Sequence, residues 1–358
     1  MILLNAEKIS KGYSDRQLLD GCSLAVGQGD KIGLIGVNGT GKSTLLKVMA
    51  GVDFPDSGTV TRSGGVRVAY LPQNPEFAPE TTVLQQVMTG VAIDKARAKE
   101  AKVVQQADEY QCKSILTQLG LSDYDQPIGQ LSGGQKRRVA LACALAAESE
   151  VLILDEPTNH IDSEMVDWLE SYLKRYQGAI LMVTHDRYFL ERVVNRIVEL
   201  DRGKLYSYPA NYSQYLELKA QREEMALATE RKRQSLYRKE LAWIQRGARA
   251  RSTKAQFRVD RFEELKKPGY VPDQSKLEVS ALSSRLGKKI IEIEQISKSF
   301  DGKVLVKDFS YNLLKGDRVG IIGPNGYGKT TLVRMICGLL EPDQGRIVRG
   351  ETVRIGYF

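Results

Sequence analysis

Two short segments of this chain combine glycines, a lysine and a hydroxyl residue at the spacing that phosphate binding requires. Residues 33–45 read GLIGVNGTGKSTL, and residues 320–332 read GIIGPNGYGKTTL. Both contain the pattern GxxxxGK[ST], in which backbone N–H groups of a glycine-rich loop wrap a phosphate. The first pattern follows the apolar stretch Lys31–Ile35 and opens a predicted helix over Ser43–Ala50, whose N-terminus adds positive field. Each segment therefore predicts a binding site for nucleotide phosphates.

The first of these loops also offers a ligand for a cation. Lys42 is placed to reach the β- and γ-phosphates of a nucleotide, and the Ser43 hydroxyl is placed to ligate Mg²⁺. The predicted binding residues of this loop are Gly36, Asn38, Gly39, Thr40, Gly41, Lys42, Ser43 and Thr44.

Acidic residues follow a second apolar strand. Residues 151–162 read VLILDEPTNHID, so Asp155 and Glu156 stand at the end of a predicted buried parallel strand. Two adjacent carboxylates are costly to bury unless a metal and a polar substrate accompany them. We therefore expect Asp155 to hold Mg²⁺ through water and Glu156 to polarise an attacking water. A third strand, within AILMVTHDRYFL at 179–190, ends at His185, which is placed to contact a γ-phosphate.

A further anion-binding element begins at residue 131, where the sequence reads LSGGQKRRVALACALA. A hydroxyl and glycine amides again stand at the start of a predicted helix. The residues concerned are Ser132, Gly133, Gly134 and Gln135. This element cannot serve the nucleotide of Lys42 unless the sheet folds back on itself, which indicates that it serves a second domain.

The chain contains an internal repeat. An offset of 287 residues, held without gaps over roughly sixty positions, aligns Lys42 with Lys329, Gly58 with Gly345 and Tyr70 with Tyr357. A constant offset over that length indicates a duplicated domain. Phe358 corresponds to Leu71 of the first copy, so we expect residues 289–358 to form only the N-terminal part of a second domain. We also expect this form of the chain to hydrolyse its nucleotide slowly compared with one extended through a second LSGGQ.

The motifs of the first copy occur in a recognisable order. The loop at 36–43, Gln73, LSGGQ, the carboxylates of DEPT and His185 follow one another as they do in the ABC ATPase domain, and the chain resembles that family. The resemblance implies an α/β fold with a P-loop ABC-type ATPase domain. It also implies that two such domains meet head to tail, with ATP sandwiched between the phosphate loop of one and the LSGGQ of the other.

The resemblance also assigns roles to individual residues. Tyr13 would stack on adenine, Ser43 and Gln73 would ligate Mg²⁺ with the support of Asp155, Glu156 would be the general base, and His185 would contact the γ-phosphate. The matching residues of the second copy are Phe300, Gly323, Asn325, Gly326, Tyr327, Gly328, Lys329, Thr330 and Thr331, with Thr330 as a metal ligand. A nucleotide on Lys329 would be capped by Ser132 and Gly134. Tyr327 departs from the pattern, because its counterpart is Thr40 and a phenol there could hinder nucleotide binding.

The segment between the two copies is strongly basic. Residues Asn211–Lys267 contain 15 basic and 8 acidic residues, so most of the chain's net charge of +8 lies there. Its composition favours helix, and Gly247 interrupts it, which predicts two antiparallel helices joined at 246–252. Cations with interleaved aromatic residues near such a tip favour contact with structured RNA. The candidate RNA-binding residues are Arg238, Lys239, Trp243, Arg246, Arg249, Arg251, Lys254 and Arg258.

This arm resembles the interdomain linker of the ABC-F branch, especially its Uup-like members. The resemblance rests on NYSQYLE, LAWIQRGARARSTKAQFR, TNHID and HDRYFL. It implies a cytoplasmic ATPase that acts on the ribosome, near the tRNA exit site, as a translation or ribosome-rescue factor, with the arm contacting rRNA and peptidyl-tRNA. The predicted domains are 1–210, a first ATPase domain; 211–267, a helical-hairpin arm; 268–288, a connecting segment; and 289–358, the start of a second ATPase domain.

Two alternatives stay open on these residues. An ATPase subunit of a membrane transporter would share the ATP motifs, and a DNA-associated ABC ATPase could use a basic arm. The sequence contains no apolar run near the ~20 residues that span a bilayer and no secretory signal. Its four scattered cysteines suit a reduced, cytosolic protein. In a form with one LSGGQ, two chains could also pair through their first domains.

Overall fold

A computed structural model describes residues 1–13, 16–90, 108–245, 261–266, 289–300, 303–323, 326–350 and 353–357. Several sequence predictions lie outside this range: those on Asn325, Arg246, Arg249, Arg251, Lys254 and Arg258, and on the side chain of Trp243. The chain divides into two compact units, Met1–His160 with Trp168–Lys276, and Ile161–Asp167 with Leu277–Phe358.

Strands and helices alternate along the first part of the chain, as an α/β fold requires. The strands are β1 Ile2–Tyr13, β2 Arg16–Gly27, β3 Lys31–Ile35, β4 Ser57–Arg62, β5 Val68–Leu71, β6 Val151–Asp155, β7 Ala179–Val183, β8 Arg196–Asp201 and β9 Lys204–Tyr208. The helices are α1 Lys42–Ala50, α2 Val83–Thr89, α3 Glu109–Gln118, α4 Gly133–Ala146, α5 Ser163–Arg175, α6 Arg187–Val193, α7 Tyr212–Gln245 and α8, residues 261–266.

The main sheet of the first unit has the strand order β5-β6-β7-β3-β8-β9. Strands β5 to β8 run parallel, and β9 pairs with β8 in the antiparallel direction. Strands β6 and β7 are buried at every position, which explains their unbroken apolar sequences up to Asp155. Because parallel strands end at the same edge, the segments that follow β3, β6 and β7 meet there. The predicted α/β class is confirmed.

A smaller antiparallel sheet, of order β2-β1-β4, covers part of this core. Its central strand β1 bulges between Glu7 and Ser10, where Lys8 takes a left-handed φ of 47°. Gly58 on β4 faces the bulge with a φ of 86°, and a Cβ there would lie 2.4 Å from the Lys8 carbonyl oxygen. Any side chain at position 58 would therefore clash with the backbone of the bulge unless one of the two strands moved.

Helix α7 is 34 residues long, or about 50 Å at about 1.5 Å per residue. Its side chains contact α8 in reverse order: the ring of Tyr237 stacks on Phe262 at 5.1 Å, and Arg233 donates a hydrogen bond to the Leu265 carbonyl. An antiparallel hairpin predicts this order of contacts. Among the described residues, no helix is both long and apolar enough to cross a membrane.

The second unit contains β10 Lys289–Phe300, β11 Lys303–Leu314, α9 Lys329–Cys337 and β12 Gln344–Arg349. Its sheet has the order β11-β10-β12, which matches β2-β1-β4 of the first unit. The bulge recurs as well: Gln295 has a φ of 49°, and Gly345 opposite it has a φ of 80°. The duplicated sequence therefore folds into duplicated backbone geometry in this layer.

One part of the repeat adopts a different structure. Residues 318–322 are the counterpart of β3 but form no strand. Ile32 and Leu34 of β3 are fully buried, whereas the matching Val319 and Ile321 are 51% and 39% exposed. Strand β3 is held by hydrogen bonds to β7 and β8 on either side. The described part of the second unit contains no strands that correspond to β7 and β8.

We expect Gly58→Ala to lower the free energy of unfolding of the first unit by about 2–3 kcal/mol, because an L side chain is strained at this φ and meets the Lys8 carbonyl. Urea unfolding followed by circular dichroism measures the loss. The matched control is Gly64→Ala, where a Cβ has no neighbour within 4 Å. Equal stability of the two variants would contradict the role assigned to the bulge.

Candidate nucleotide site

The phosphate loop connects β3 to α1 through two glycines with left-handed backbones. Gly39 has a φ of 76° and Gly41 a φ of 104°, and Gly41 is the residue immediately before α1. A Cβ on Gly41 would also lie 2.9 Å from Cβ of Leu18. The helix starts at Lys42, one residue before the predicted bound, so its unsatisfied N–H groups face the loop.

Lys42 is held across its own loop. Its Nζ donates hydrogen bonds to the carbonyls of Gly36, at 2.9 Å, and Val37, at 3.1 Å. Burial lowers the pKa of Lys42, while the carboxylates of Glu156 and Asp155 raise it. The ammonium group thus stands between the loop and the acidic end of β6, where a bound polyphosphate would give it a stronger partner.

Asp155 is a buried carboxylate whose charge is only partly compensated by its neighbours. It is 2% exposed, and neither of its carboxylate oxygens has a hydrogen-bond partner among the described residues. Burial raises the pKa of Asp155, and the nearby Ser43 hydroxyl and Lys47 ammonium lower it in part. An unsatisfied carboxylate beside a hydroxyl is a fitting environment for a hard cation such as Mg²⁺.

Glu156 has a strained backbone conformation, and its side chain lies beside His185. Its φ of 55° is left-handed, and its N–H donates to the Val183 carbonyl at 2.8 Å, which ties the turn after β6 to the end of β7. Its carboxylate lies 3.4 Å from Nε2 of His185 and accepts a hydrogen bond of the same length from the His185 N–H. Burial raises the pKa of Glu156, and the neighbouring His185 lowers it. A carboxylate with a raised pKa and an exposed histidine suits proton transfer from water.

These groups line one cavity of about 400 Å³. Its wall includes predicted residues from all three strand ends and from Gln73: Asn38, Gly39, Gly41, Lys42, Ser43, Thr44, Gln73, Asp155, Glu156 and His185. Leu18, Asn159 and Val183 complete the wall. The tertiary structure therefore brings together predicted residues that lie up to 147 positions apart in the sequence, from Asn38 to His185.

Gln73 is fixed by a residue that the sequence did not single out. Arg137 on α4 donates hydrogen bonds to the Gln73 carbonyl from Nε, at 3.0 Å, and from an Nη atom, at 2.5 Å. The only signal in the sequence is the basic run 136–138 after LSGGQ. Arg137 links the helix of the LSGGQ element to the loop that carries a candidate metal ligand.

The LSGGQ element forms the start of α4. Ser132 and Gln135 make a reciprocal capping box: the Ser132 hydroxyl accepts from the Gln135 N–H, and the Gln135 side chain accepts from the Ser132 N–H. Gly133 has nothing within 4 Å of where a Cβ would stand, and Gly134 meets only Cβ of His160 at 3.6 Å. Packing within this unit therefore does not require glycine at either position, which fits close approach by a ligand.

Tyr13, which is not among the residues that line this cavity, is held by a small charged cluster. Its hydroxyl donates to Asp53 at 2.6 Å, and Lys11 pairs with Asp53 and Asp56 while its Nζ lies 5.5 Å from the Tyr13 ring. The hydrogen bond to Asp53 raises the pKa of Tyr13. The cluster leaves the Tyr13 ring 49% exposed, where it is accessible to a base.

The second unit repeats this arrangement with one change. Lys298 pairs with Asp343 at 2.5 Å and lies 5.5 Å from the ring of Phe300. The position of Asp53 is taken by Leu340, so the loss of the phenol hydroxyl is matched by the loss of its acceptor. Lys298 and Asp343 stand 287 positions after Lys11 and Asp56, so the internal repeat in the sequence already indicated this ion pair.

The second phosphate loop keeps the geometry of the first where the structure describes it. Lys329 Nζ donates to the Gly323 carbonyl at 2.6 Å, and Gly326 and Gly328 have φ values of 83° and 87°. Thr330 and Thr331 lie on the first turn of α9. The side chain of Tyr327, which replaces the Thr40 of the first loop, is 69% exposed.

Of the candidate RNA-binding residues, the structure describes the side chains of Arg238 and Lys239. Both are exposed on α7, far along the helix from its first residue, Tyr212.

Comparison with known proteins agrees with this geometry. A family model described as ABC transporter matches residues 19–159 and 306–355, and a second model with the same description matches residues 198–279. An uncharacterized ABC transporter ATP-binding protein of Bacillus subtilis, YfmR, is 45% identical over all of this chain. The energy-dependent translational throttle protein EttA is 38% identical in Mycobacterium tuberculosis, over 98% of the chain, and 39% identical in Escherichia coli K12, over 95%. The chain belongs to the ABC-F branch of the ABC ATPases.

These matches cover nearly all of this chain but only part of each relative. The chain spans 61% of the length of YfmR, 68% of the M. tuberculosis EttA and 67% of the E. coli EttA. Among solved structures, the ATP-binding subunit of an ABC transporter aligns with a TM-score of 0.52 at 24% identity, covering 61% of this ABC-F chain and 99% of that structure. The structural likeness establishes the ATPase fold.

Because the charge of Asp155 is buried, we expect the folded protein to become more stable when that charge is removed. Because burial raises the pKa of Asp155, the folding penalty is absent at low pH and appears as pH rises through the folded pKa. We expect Asp155→Asn to raise the free energy of unfolding at pH 7 by on the order of 1 kcal/mol, and the gain to vanish as the pH falls below about 4. Thermal unfolding across pH measures it.

If Asp155 holds Mg²⁺, as the sequence predicts, the same variant should lose most of any stabilisation by Mg²⁺ and ATP together, because a cation bound there would lose a charged ligand. Asp123→Asn, at an exposed carboxylate, is the control and should change neither quantity. A destabilised Asp155→Asn with intact nucleotide stabilisation would show that this carboxylate is structural.

The bond from Arg137 to Gln73 predicts an effect on the metal dependence of binding. We expect Arg137→Met to raise the Mg²⁺ concentration for half-maximal ATP binding about tenfold, the equivalent of one hydrogen bond to a charged group. Titration with a fluorescent ATP analogue measures this. Lys136→Met, on the preceding residue, should leave the titration unchanged, and an equal shift in both would point to net charge alone.

Proposed function

We propose that this chain binds and hydrolyses ATP and acts on the ribosome, as a translation or ribosome-rescue factor of the cytoplasm. One observation carries the proposal: the predicted nucleotide-binding and catalytic groups of the first copy line one cavity, in the same compact unit as a 34-residue helix that carries exposed cations and leads to a basic segment. The relatives named translational throttle proteins support the ribosome as the target.

The ATP site is proposed as follows. Lys42 and the loop amides bind the β- and γ-phosphates, and the exposed ring of Tyr13 stacks on the base. Ser43, Gln73 and Asp155 would hold Mg²⁺, which would neutralise charge on the phosphate oxygens. Glu156 accepts the proton of the attacking water, and His185 orients the carboxylate and contacts the γ-phosphate. Catalysis is then mostly positioning and charge stabilisation, as in other phosphoryl transfers.

The LSGGQ element serves a different nucleotide. Ser132 and the two glycines stand at the N-terminus of α4, where N–H groups and the helix field favour an anion. We propose that they cap a nucleotide held by another ATPase domain, whether that of the second copy or that of a second chain. Lys329 and Thr330 would hold phosphate and metal in the second copy.

The arm supplies the RNA contacts. Exposed cations stand on the described part of α7 and α8: Arg231, Lys232, Arg238, Lys239, Arg261 and Lys266. Five more belong to the residues between the two helices, so the positive charge increases toward the predicted tip. A cationic helical hairpin matches the shape and charge of structured RNA, and the proposed contacts are rRNA and peptidyl-tRNA near the tRNA exit site.

Co-sedimentation after ATP trapping tests the proposal. In the complete protein we expect Glu156→Gln to slow hydrolysis by roughly a hundredfold or more, since it removes the general base, and to leave ATP bound. The trapped protein should sediment with ribosomes, and the association should weaken as salt increases. Sedimentation with membranes would instead favour the transporter alternative, and with DNA the DNA-associated one.

Charge reversal at the tip separates the arm from the ATPase. In the trapped protein, Arg246, Arg249 and Arg251 changed together to Glu should abolish ribosome association while ATP binding persists. The control reverses three exposed cations of the core, Lys8, Arg175 and Lys204, and should retain most of the association. Ribosome association that survives the tip reversal would refute the role of the arm.

A further inference from the structure

A buried glutamate anchors the base of the long helix. Glu199 on β8 is 4% exposed, and each of its carboxylate oxygens has two partners. Oε1 lies 2.5 Å from Nζ of Lys219 and accepts a hydrogen bond from the Tyr215 hydroxyl at 3.2 Å. Oε2 lies 3.0 Å from an Nη atom of Arg222 and accepts from the Tyr208 hydroxyl at 3.4 Å.

Three of these four partners belong to the first three turns of α7. Lys219 and Arg222 are one turn apart on the same face, and Tyr215 precedes Lys219 by one turn. The guanidinium of Arg222 also lies 3.9 Å from the centroid of the Tyr206 ring on β9. Lys219 meets Glu199 in a hydrogen-bonded ion pair and Arg222 meets it in an ion pair at 3.0 Å, so two cations on successive turns favour one orientation of the helix on the sheet.

The strand that carries Glu199 also contacts the phosphate loop. Glu199 pairs with Ile35, the last residue of β3 before the loop. The next carbonyl of β8, that of Leu200, would lie 2.5 Å from a Cβ on Gly36. A shift of the loop at Gly36 therefore cannot leave β8 unmoved, because no free space separates the two backbones.

A cavity of about 490 Å³ lies between the loop and the helix base. Val37, Lys42 and His185 line it from the nucleotide side, and Tyr212, Lys219 and Glu223 line it from α7. Lys42 and His185 also line the nucleotide cavity. The cavity leaves space on the side of the helix base that faces the nucleotide site. Glu191 of α6 holds the first turn of α7 through the Ser213 N–H, and Glu199 holds the next two turns to the sheet.

We propose that Glu199 is the joint between the nucleotide site and the arm: it sets the direction of α7 and transmits displacement of the phosphate loop to it. Glu199 is a positioning residue, since it lines the cavity behind the loop and not the nucleotide cavity. The inference rests on the proposed function, because it requires that the direction of the arm changes when ATP binds. It adds that the contacts of Glu199 set this direction.

Distance measurement between two spin labels tests the joint directly. Labels on Ser235 of α7 and Ser171 of α5, both exposed, report the direction of the arm relative to the core. Cys337 is replaced so that labelling is confined to these sites, since the other three cysteines are buried. Pulsed dipolar spectra are recorded for the whole chain with no nucleotide and with Mg²⁺ and a non-hydrolysable ATP analogue.

We expect the parent chain to give a narrow distance distribution that moves to a second distance when the analogue binds. Glu199→Gln removes the charge but keeps the size, and should broaden the distribution and abolish the nucleotide-dependent shift. Lys219→Met, which removes one cation and leaves Arg222, should reduce the shift in part. Affinity for a fluorescent ATP analogue should change less than twofold in both.

Glu217→Gln is the matched control, because Glu217 is an exposed glutamate of α7 between Tyr215 and Lys219. It should keep the parent's shift. The proposal is overturned if the parent shows no shift, if Glu199→Gln keeps the full shift, or if Glu199→Gln loses nucleotide binding itself. Ribosome sedimentation is scored separately: a parent that fails to bind ribosomes but keeps the shift refutes the proposed function and leaves the joint intact.

Discussion

The parallel pairing of β3 between β7 and β8 is the constraint on which the rest of the molecule depends. It places the phosphate loop at the sheet edge where β6 ends in Asp155 and β7 leads to His185. It also sets the Leu200 carbonyl against Gly36, so that the loop and β8 share one backbone contact. Without these hydrogen bonds the loop sequence would still form its turn, but the acidic groups would have no fixed position relative to it.

Charge burial at this edge is unbalanced in the protein by itself. The Asp155 carboxylate has no hydrogen-bond partner among the described residues, and Lys42 donates only to carbonyls of its own loop. The pKa of Asp155 and that of Glu156 are raised by burial, and that of Lys42 is lowered by it. A ligand of the opposite charge would relieve each shift, so the proposed metal–polyphosphate complex would compensate these groups together.

The base of α7 follows the opposite rule, because Glu199 is buried with all its partners present. Two cations and two phenols lie within hydrogen-bond or ion-pair distance of its oxygens, so several contacts together attach the arm to the sheet. The nucleotide site thus holds a carboxylate with no hydrogen-bond partner among the described residues, whereas the carboxylate of the joint has partners for both of its oxygens. The contrast fits the proposed coupling between the two sites. Ligand binding would change the charge of the nucleotide site, while the Glu199 cluster would keep its geometry and carry the movement to α7.

The sequence by itself determined the features that depend on local chemistry and on the repeat. The two phosphate loops and the capped start of α4 follow from residue types at fixed spacing, and the internal repeat predicted that the second unit would resemble the first. The long helix, expected over 211–245, is found over Tyr212–Gln245. The tertiary structure decided the rest: residues 318–322 repeat the apolar pattern of β3 without forming a strand, and Arg137 and Glu199 gained their partners from distant segments. The physical reason is that a parallel strand and a buried charge are stabilised by non-local partners, which no short stretch of sequence specifies.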